Sequence, residues 1–581
     1  MRVRVPSRLL EGLLYALMAF GPLAFGSVEP WSRAALEVLS FLLAFGCFLR
    51  GRPALTTAAD SMWIFPAGFS AFGVVQLLSV AAPDGPRPLA PFTAAPNATE
   101  NAVLLWAAYA AVLWSVPRVL LAHDAARRCA RVLFGLGLAV AAQGMLQDAT
   151  TPGKLYWLRE APRAYSFGPY YNRDHAADLL LMCLAVGLGI LFSRPRRAPG
   201  ADGLARESIL RPALTAAAAA FLLAGIFSCS SRGALLAIPL AAGAVALCAA
   251  GLAKRSRARR VRAAAALAGI ATVVFLAFRL VGEGANAGAL VDRSVTARFY
   301  IYGDSWRWLR DSPLFGTGLG SFETMYPTYQ DQELRGVVRH AHSDWLELAL
   351  ETGLFGLFAA LAAAAWVAAA ALRSWKEARS SEMRALIGGG FAAAVAFLSH
   401  SLFEFSFQIP GNAVVFFIIV GFILSSPAWM DKVAPAARPA PRSLWASLAA
   451  AACFLGLTGA VAFASTGRSW EPDSKRLTSS AAYLYMGAIR GGGADHDALR
   501  EAMNYALAAA SLRPFDADAL LLSAGSLRRL GRAADAEDFF NRAGLVRFAA
   551  LTRAQAPAPS MENKIDSLRG VGLLPSRLEP K

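Results

Sequence analysis

Charged side chains are scarce in this chain of 581 residues. Only 17% of the residues are Asp, Glu, Lys or Arg, whereas 56% are hydrophobic. A soluble protein of this size needs more polar surface than that composition supplies. Many apolar runs reach the roughly 20 residues that a helix needs to cross a bilayer. The composition therefore excludes a soluble globular protein and predicts a chain that crosses a membrane many times.

Cysteines and nucleotide-binding motifs are also sparse or lacking. The six cysteines lie in or beside apolar segments and form neither a CxxC pair nor a metal-ligand spacing. A disulfide framework and a zinc site are therefore not expected. The glycines of Gly316-Thr317-Gly318-Leu319-Gly320 are not followed by Gly-Lys-Ser/Thr, so they do not form a P-loop. We interpret them as a tight turn that lets a loop fold back over the membrane face, and we expect no nucleotide cofactor.

The formal net charge of +17 raises the question of a nucleic-acid partner. However, the strongly basic stretches lie in short loops between apolar runs, as in Lys254-Arg255-Ser256-Arg257-Ala258-Arg259-Arg260. This placement is typical of the positive-inside rule of membrane proteins and not of a DNA-binding face. We therefore expect membrane lipid, and no nucleic acid, around the chain.

The apolar runs predict an all-α polytopic membrane protein with about 12–13 transmembrane helices. The candidate spans are 9–27, 34–49, 61–81, 101–120, 129–147, 175–193, 212–229, 233–252, 263–281, 344–372, 385–403, 410–427 and 443–465. With the N-terminus in the cytoplasm, the basic loops are expected inside if the short second run is a re-entrant or paired hairpin instead of a crossing. The first run lacks a clear cleavage site, so we expect an uncleaved first helix.

Three segments are then expected on the outer, periplasmic face: 148–174, 282–343 and everything after about 466. Long loops inside compact folds usually serve a function, and 282–343 is the longest between two spans. Its arginines contradict the positive-inside bias, which indicates an anionic ligand, although ion pairs with the acids of the loop are an alternative. These arginines are Arg293, Arg298, Arg307, Arg310, Arg335 and Arg339.

The loop ends in His340-Ala341-His342-Ser343-Asp344, where a long apolar helix is predicted to begin. Asp344, Glu347 and Glu351 fall on one stripe of that helix at about 100° per residue. Acids on an apolar span are costly in lipid, so they are expected to face a protein interior or a wet cavity. A solvated helix start, favoured by the helix dipole, is the alternative.

Two more polar groups open spans from the outer side. Arg232, in Ser230-Ser231-Arg232-Gly233, is predicted to contact an anion near the bilayer, with snorkelling to the headgroups as the alternative. Asn172, Arg173 and His175 could bind a phosphate or a sugar, although an interface anchor fits equally well.

A histidine and a glutamate lie one helical turn apart near the end of the eleventh span. They are His400 and Glu404. Residues at this spacing face each other on a helix. We interpret them as a mutually satisfied pair at a helix end, with a role in the site as the alternative.

The chain becomes more charged after Thr466 and loses its long apolar runs. Small and aromatic residues recur there at the spacing of a 34-residue tetratricopeptide (TPR) repeat of two helices. The matching positions are Ala502, Ala509, Pro514, Ala524, Gly531, Ala536, Phe540 and Ala543. About two repeats are too few to be very stable alone, so the tail is expected to pack on a partner or on the membrane domain. The predicted domains are 1–465 (membrane), 466–554 (TPR-like, periplasmic) and 555–581 (flexible tail).

Taken together, these motifs resemble the bacterial O-antigen ligase and polymerase family. The resemblance runs from about Phe167 to Leu424 and is most specific between Arg298 and Gly356. The family often has Asn where Ser343 stands and Asp where Glu404 stands. The features that carry the resemblance are Ser231-Arg232-Gly233, Arg298 with Trp306, Pro313, Gly316 and Gly318, His342-Ser343, Leu346, Glu351-Thr352-Gly353, and His400 with Glu404 and Pro410.

The resemblance implies a metal-independent glycosyltransferase of the GT-C type in the bacterial inner membrane. The donor would be a glycan on undecaprenyl pyrophosphate, and the acceptor a hydroxyl on lipid A–core, on a second lipid-linked glycan or on a protein. By the same resemblance, Arg232 and Arg298 would hold the donor pyrophosphate and His342 would lie near the acceptor. The expected substrate-binding residues are Asn172, Arg173, His175, Arg335, Arg339, His340, Asp344 and Glu351.

The chemistry of these side chains agrees with that role. Preorganised arginines stabilise the charge that gathers on a departing pyrophosphate. A neutral histidine can take the proton of the acceptor hydroxyl, and His342 is the candidate, with His340, Asp344 or Glu351 orienting it. Attack opposite the leaving group would invert the anomeric centre.

Several functions remain open from the sequence. A ligase and a polymerase differ only in their acceptor, and the repeat-like tail favours a polymerase because it could hold a growing chain or an assembly protein. A protein O-oligosaccharyltransferase is a third variant. From other classes, the chain could be a transporter of lipid-linked glycan or a membrane anchor for an assembly complex. Transporters usually show internal repeats and polar groups at mid-membrane, whereas here the polar groups gather at the outer surface.

Overall fold

The protein is described by a computed structural model. The model describes residues 5–51, 55–80, 89–161, 166–193, 205–252, 287–330, 338–429 and 444–467, and parts of 477–539. Helices make up most of these residues, together with one two-stranded antiparallel ribbon in which Lys154–Leu155 (β1) pairs with Arg159–Glu160 (β2). The predicted all-α class is confirmed.

The helices of the membrane part follow the apolar runs of the sequence. In the first half of the chain they are α1 (Ser7–Leu23), α2 (Pro30–Arg50), α3 (Thr57–Ser61), α4 (Ile64–Leu77), α5 (Pro96–Val119), α6 (His123–Thr150) and α7 (Arg173–Phe192). In the second half they are α8 (Ala205–Ser228), α9 (Arg232–Leu252), α10 (Ala287–Asp311), α11 (Phe322–Met325), α12 (Asp344–Glu377), α13 (Ser381–His400), α14 (Pro410–Trp429) and α15 (Leu444–Gly467).

Twelve of the thirteen predicted spans coincide with helices, and the thirteenth, 263–281, lies outside the described residues. Within the described part, eight helical segments are long and apolar enough to cross a membrane. The second run, interpreted as a re-entrant or paired hairpin, is a continuous helix of 21 residues (α2) that is long and apolar enough to cross a membrane. If α1 crosses outwards and α2 crosses back, Arg50 lies on the inner side and no re-entrant segment is needed.

Helix α14 lies at the centre of the bundle, and almost all of its residues are buried. Helices α7 and α13 pack against each other through glycines. A Cβ atom on Gly189 would lie 2.8 Å from the carbonyl oxygen of Ala385, and one on Gly389 would lie 2.9 Å from the Cα of Gly189. Small residues allow this close approach of two membrane helices. This close contact fixes α7 against α13, and both helices carry residues of the site.

The glycine turn packs against α12. Gly316, Gly318 and Gly320 all have positive φ, which glycine adopts without strain. The backbone N–H of Gly318 donates to the carbonyl oxygen of Glu351 at 3.0 Å. Helix α12 is interrupted there, because Gly353 has φ +67° and ψ −171°. The outer loop is therefore anchored to a break in a membrane helix.

The tail contains a pair of packed helices, α16 (His496–Leu512) and α17 (Ala517–Arg529). Ala502, Ala509, Ala524 and Ala536 are buried, as the helical repeat requires, whereas Pro514, Phe540 and Ala543 lie outside the described residues. The tail also contacts the membrane part, since Val80 packs against the core of these helices. The TPR assignment and the domain boundaries stay predictions.

Candidate functional site

The turn between α13 and α14, residues 401–409, forms the floor of the site. Asp344, the first residue of α12, holds this turn. Its backbone N–H donates to the carbonyl oxygen of Ser401 at 2.9 Å, and its Oδ2 accepts from the N–H of Phe407 at 2.9 Å. Asp344 is buried, so it serves the turn and is not placed to bind substrate directly. Two neighbouring residues of the turn, Glu404 and Phe405, face the loop that ends at His342.

Arg298, Glu404 and His342 meet at this turn. The Arg298 guanidinium donates from Nη2 to Oε1 of Glu404, and Nδ1 of His342 lies 3.4 Å from Oε2 of the same carboxylate. Glu404 is buried, whereas the side chains of Arg298 and His342 are 28% and 35% exposed. The structure therefore brings two of the three predicted catalytic residues together through a buried carboxylate.

Glu404 is ionised in this arrangement. Burial alone would raise the pKa of its carboxyl, but the hydrogen bond and charge of His342 and the charge of Arg298 outweigh burial and lower the pKa to about 2. His342 itself has φ +51°. Non-glycine residues rarely hold this conformation, and those that do cluster at functional sites.

His340 forms a second histidine–carboxylate pair beside the first. Its Nδ1 lies 3.0 Å from Oε1 of Glu347, and Oε2 of Glu347 accepts from the backbone N–H of Ala341 at 2.8 Å. The His340 ring stacks on Phe405, with the ring centroids 4.2 Å apart. The acidic stripe of α12 thus supplies one partner to the site, and that partner is Glu347.

The start of α7 packs against the 401–409 turn. His175 packs edge-on to Phe405, with the ring centroids 4.7 Å apart, and it is buried. Asn172 caps the helix by accepting from the N–H of Asp174 at 3.0 Å. Arg173, the first residue of α7, is half-buried. Asn172 and His175 therefore act in the framework, while Arg173 lies at its outer edge.

Arg232 opens α9 beside the same turn. A Cβ atom on the next residue, Gly233, would lie 3.0 Å from the His400 ring and 3.6 Å from the Cβ of Phe403. The close packing of glycine thus places the start of α9 against the 401–409 turn. Arg232 is half-buried there and has partners of its own.

Two predicted binding residues, Arg339 and Glu351, lie apart from this group. Arg339 is largely exposed and pairs with Glu323 at 3.4 Å. Glu351 is buried and accepts from the backbone N–H of Phe322 at 3.1 Å, so it holds the glycine turn and does not orient His342. Arg335 lies outside the described residues.

The expected pair of His400 with Glu404 is not formed. His400 instead pairs with Asp178, and Glu404 pairs with His342 and Arg298. His400 Nδ1 lies 3.2 Å from Oδ1 of Asp178, and both side chains are fully buried. Asn412 also donates to Asp178, at 3.1 Å. Sequence reasoning missed Asp178, although an acid inside an apolar span was a usable signal. It also missed Phe405, for which the sequence offers no signal.

One comparison with known proteins concerns this region. A family model described as O-Antigen ligase matches residues 217–361. That segment, 145 of the 581 residues, is similar to the O-antigen ligase family. The resemblance seen in the sequence is confirmed, and glycan transfer of the O-antigen ligase or polymerase type is supported in general.

The matched segment contains Arg232, Arg298 and His342, whereas Glu404 and Phe405 follow it in the chain. A comparison with curated proteins found no match. Among the described residues, no group of three or more His, Cys, Asp or Glu side chains is arranged to hold a metal ion.

Proposed function

We propose that this protein polymerises or ligates a glycan carried on undecaprenyl pyrophosphate. It transfers the glycan to a sugar hydroxyl at the periplasmic face of the bacterial inner membrane during surface polysaccharide assembly. The reaction is metal-independent and inverts the anomeric centre. The observation that carries this proposal is the Arg298–Glu404–His342 group at the ends of membrane helices, in a chain of which residues 217–361 match an O-antigen ligase family model.

The donor side of the proposal rests on Arg298. A guanidinium has five N–H donors in a fixed fork, and the bond to Glu404 occupies one end of that fork. Because Glu404 is rigidly held in the turn, Arg298 is oriented before any substrate arrives. Preorganised positive charge of this kind stabilises a pyrophosphate as it departs, and removal of one such donor typically costs about 10²–10³-fold in rate. Arg232, at the start of α9, is proposed to act on the same anion.

The acceptor side needs one base, and the two imidazoles beside Phe405, those of His340 and His342, are the candidates. Each has its Nδ1 near a buried carboxylate, and each side chain is about one-third exposed. A carboxylate at Nδ1 fixes the tautomer of a histidine and leaves Nε2 to receive a proton. An acceptor hydroxyl that reaches this pair can therefore lose its proton as it attacks the anomeric carbon.

The direct test uses the purified protein in detergent with a lipid-linked oligosaccharide, in EDTA, with and without lipid A–core. Products are resolved on a gel. A ladder of longer lipid-linked glycans without lipid A–core identifies a polymerase, and product that requires lipid A–core identifies a ligase. If neither forms, the proposal fails in this form.

Two other classes are separated by the same preparation. A protein O-oligosaccharyltransferase would modify an added acceptor protein. A transporter of lipid-linked glycan would move the donor across liposomes without consuming it, and a membrane anchor would tolerate alanine at His342. The tail favours an assembly role, because its helices contact Val80, three residues after α4, and could bind a growing glycan or an assembly protein there.

A further inference from the structure

We propose that His340, held by Glu347, is the residue that takes the proton from the acceptor hydroxyl, and that His342 serves the donor. This assignment rests on the proposed function and deepens it. It differs from the expectation drawn from the sequence, in which His342 was the base and His340 oriented it. The two histidines differ in the other contacts that their carboxylate partners, Glu347 and Glu404, make.

Both oxygens of Glu347 are used by the loop that carries His340. They meet the imidazole of His340 at 3.0 Å and the backbone N–H of Ala341 at 2.8 Å, and the side chain is 2% exposed. Within the described part of the chain, no Lys or Arg forms an ion pair with Glu347. A carboxylate at Nδ1 stabilises the imidazolium that forms when Nε2 accepts a proton.

Glu404, in contrast, contacts both an arginine and a histidine. It forms an ion pair with Arg298, and Nδ1 of His342 lies farther away, at 3.4 Å. Much of its charge is therefore already neutralised by a guanidinium. Arg298 has four N–H donors besides the one that Glu404 accepts. Such a group is suited to an anion, which is the pyrophosphate of the donor.

The orientation of the rings supports the same division. His340 lies nearly parallel to Phe405, at 18° and 4.2 Å, so the stack and the bond to Glu347 together fix the plane of its ring. His342 meets the same phenyl ring edge-on, at 73° and 5.2 Å. A base must be held in one orientation to receive a proton along the line of attack. His340 satisfies this condition and remains 30% exposed, so a hydroxyl can reach it.

The step balances as follows. The acceptor oxygen forms a bond to the anomeric carbon, and its proton passes to Nε2 of His340. The bond between the anomeric carbon and the phosphate oxygen breaks, and its electron pair leaves with undecaprenyl pyrophosphate beside Arg298. Glu347 stabilises the imidazolium until the proton is lost to solvent.

Azide provides a test that does not depend on the identity of the acceptor. Azide is already an anion, so it can attack the anomeric carbon without a base and yield a glycosyl azide. The matched variants are His340→Ala and His342→Ala, which remove the same group two residues apart. Each is given the lipid-linked oligosaccharide with and without sodium azide, and the products are identified by mass spectrometry.

The expected result is a contrast between the two variants. His340→Ala should lose about 10²–10⁴-fold of transfer to the hydroxyl acceptor, as expected for loss of a general base. It should form glycosyl azide at least ten times faster than it transfers to the hydroxyl. His342→Ala should yield no glycosyl azide above background, because it lacks a donor-side group. Glu347→Gln, which keeps the imidazole, should behave as a milder form of His340→Ala.

The assignment is overturned if azide rescues His342→Ala, or if it rescues neither His340→Ala nor Glu347→Gln. A melting temperature for each variant in detergent identifies one that fails to fold, and the Glu347→Gln result then decides. Failure of the proposed function has a different signature, in which the unmodified protein consumes no lipid-linked donor with any acceptor.

Discussion

Replacing Glu404 with glutamine should destabilise the protein at neutral pH, and the loss should disappear in acid. The pKa of this carboxyl is lowered from 4.5 to about 2, because His342 and Arg298 outweigh the opposing effect of burial. Each pKa unit corresponds to about 1.4 kcal/mol, so the charged form of Glu404 contributes about 3 kcal/mol to folding. Glutamine keeps the shape of the side chain and removes that charge.

The sign of the pH dependence follows from the lowered pKa. A carboxyl whose folded pKa lies below its unfolded pKa binds fewer protons in the folded state. Its contribution is therefore complete above pH 4.5 and is lost progressively as the pH falls towards 2. The stability difference between the unmodified protein and Glu404→Gln should accordingly shrink over that interval.

Thermal unfolding in detergent, followed by tryptophan fluorescence at a series of pH values, measures this difference. The matched control is Glu382→Gln, which removes a carboxylate paired with Arg127 at 3.0 Å at the start of α13. That pair is partly exposed, so its loss should cost less than about 1 kcal/mol. The reasoning is refuted if Glu404→Gln melts with the unmodified protein at pH 7, or if its deficit is the same at pH 3.

Three further outcomes are expected. His342→Ala should reduce glycan transfer at least about 10²-fold while membrane insertion, measured by protease accessibility, is unchanged; wild-type transfer would contradict a role in the reaction. Gly353→Ala should lower the melting temperature, because φ +67° strains alanine and its Cβ would lie 2.2 Å from the carbonyl of Leu314; an unchanged melting temperature would contradict the helix break. Asp178→Asn should cost about 3–5 kcal/mol, because it weakens a fully buried pair with His400; unfolding in detergent measures the loss, and a neutral result would argue against that pair.

The helical architecture could be predicted from the sequence because it depends on the composition and length of the apolar runs. A run of about 20 apolar residues crosses a bilayer as an α-helix, because the helix satisfies every backbone N–H and C=O by hydrogen bonds within the segment. Twelve predicted spans therefore coincide with helices. The second run looked short in the sequence because its helix starts four residues earlier, at Pro30, and includes the polar residues Ser32 and Arg33.

Some residues of the site could be predicted from the sequence, whereas the carboxylates that contact them could not. His340 and His342 were selected as polar residues at the end of the predicted outer loop. Arg298 was selected as an arginine of that loop against the positive-inside bias and through the family resemblance. Their carboxylate partners could not be ranked, since hydrogen-bonding capacity is the same for Glu347, Glu351 and Glu404. Tertiary packing decides among them. Glu351 turns towards the glycine turn, while Glu404 is carried to His342 by a turn 62 residues farther along the chain.

His400 shows the limit of spacing arguments. A residue four positions away is a frequent partner within a regular helix. Here, however, α13 ends at His400, and Glu404 lies in the following turn and faces the outer loop. His400 instead faces Asp178 of α7, because α7 and α13 approach closely through their glycines. Because the helix ends at His400, residues four positions apart no longer face each other there, and the spacing does not predict a pair.

The central claim is that Arg298 acts on a lipid pyrophosphate donor. The most direct measurement is the rate at which undecaprenyl pyrophosphate is released from a lipid-linked oligosaccharide by the unmodified protein and by Arg298→Ala, side by side in detergent and EDTA. We expect release coupled to transfer by the unmodified protein, and a rate at least about 10²-fold lower for the variant. Equal release by both proteins, or release by neither, would contradict the claim.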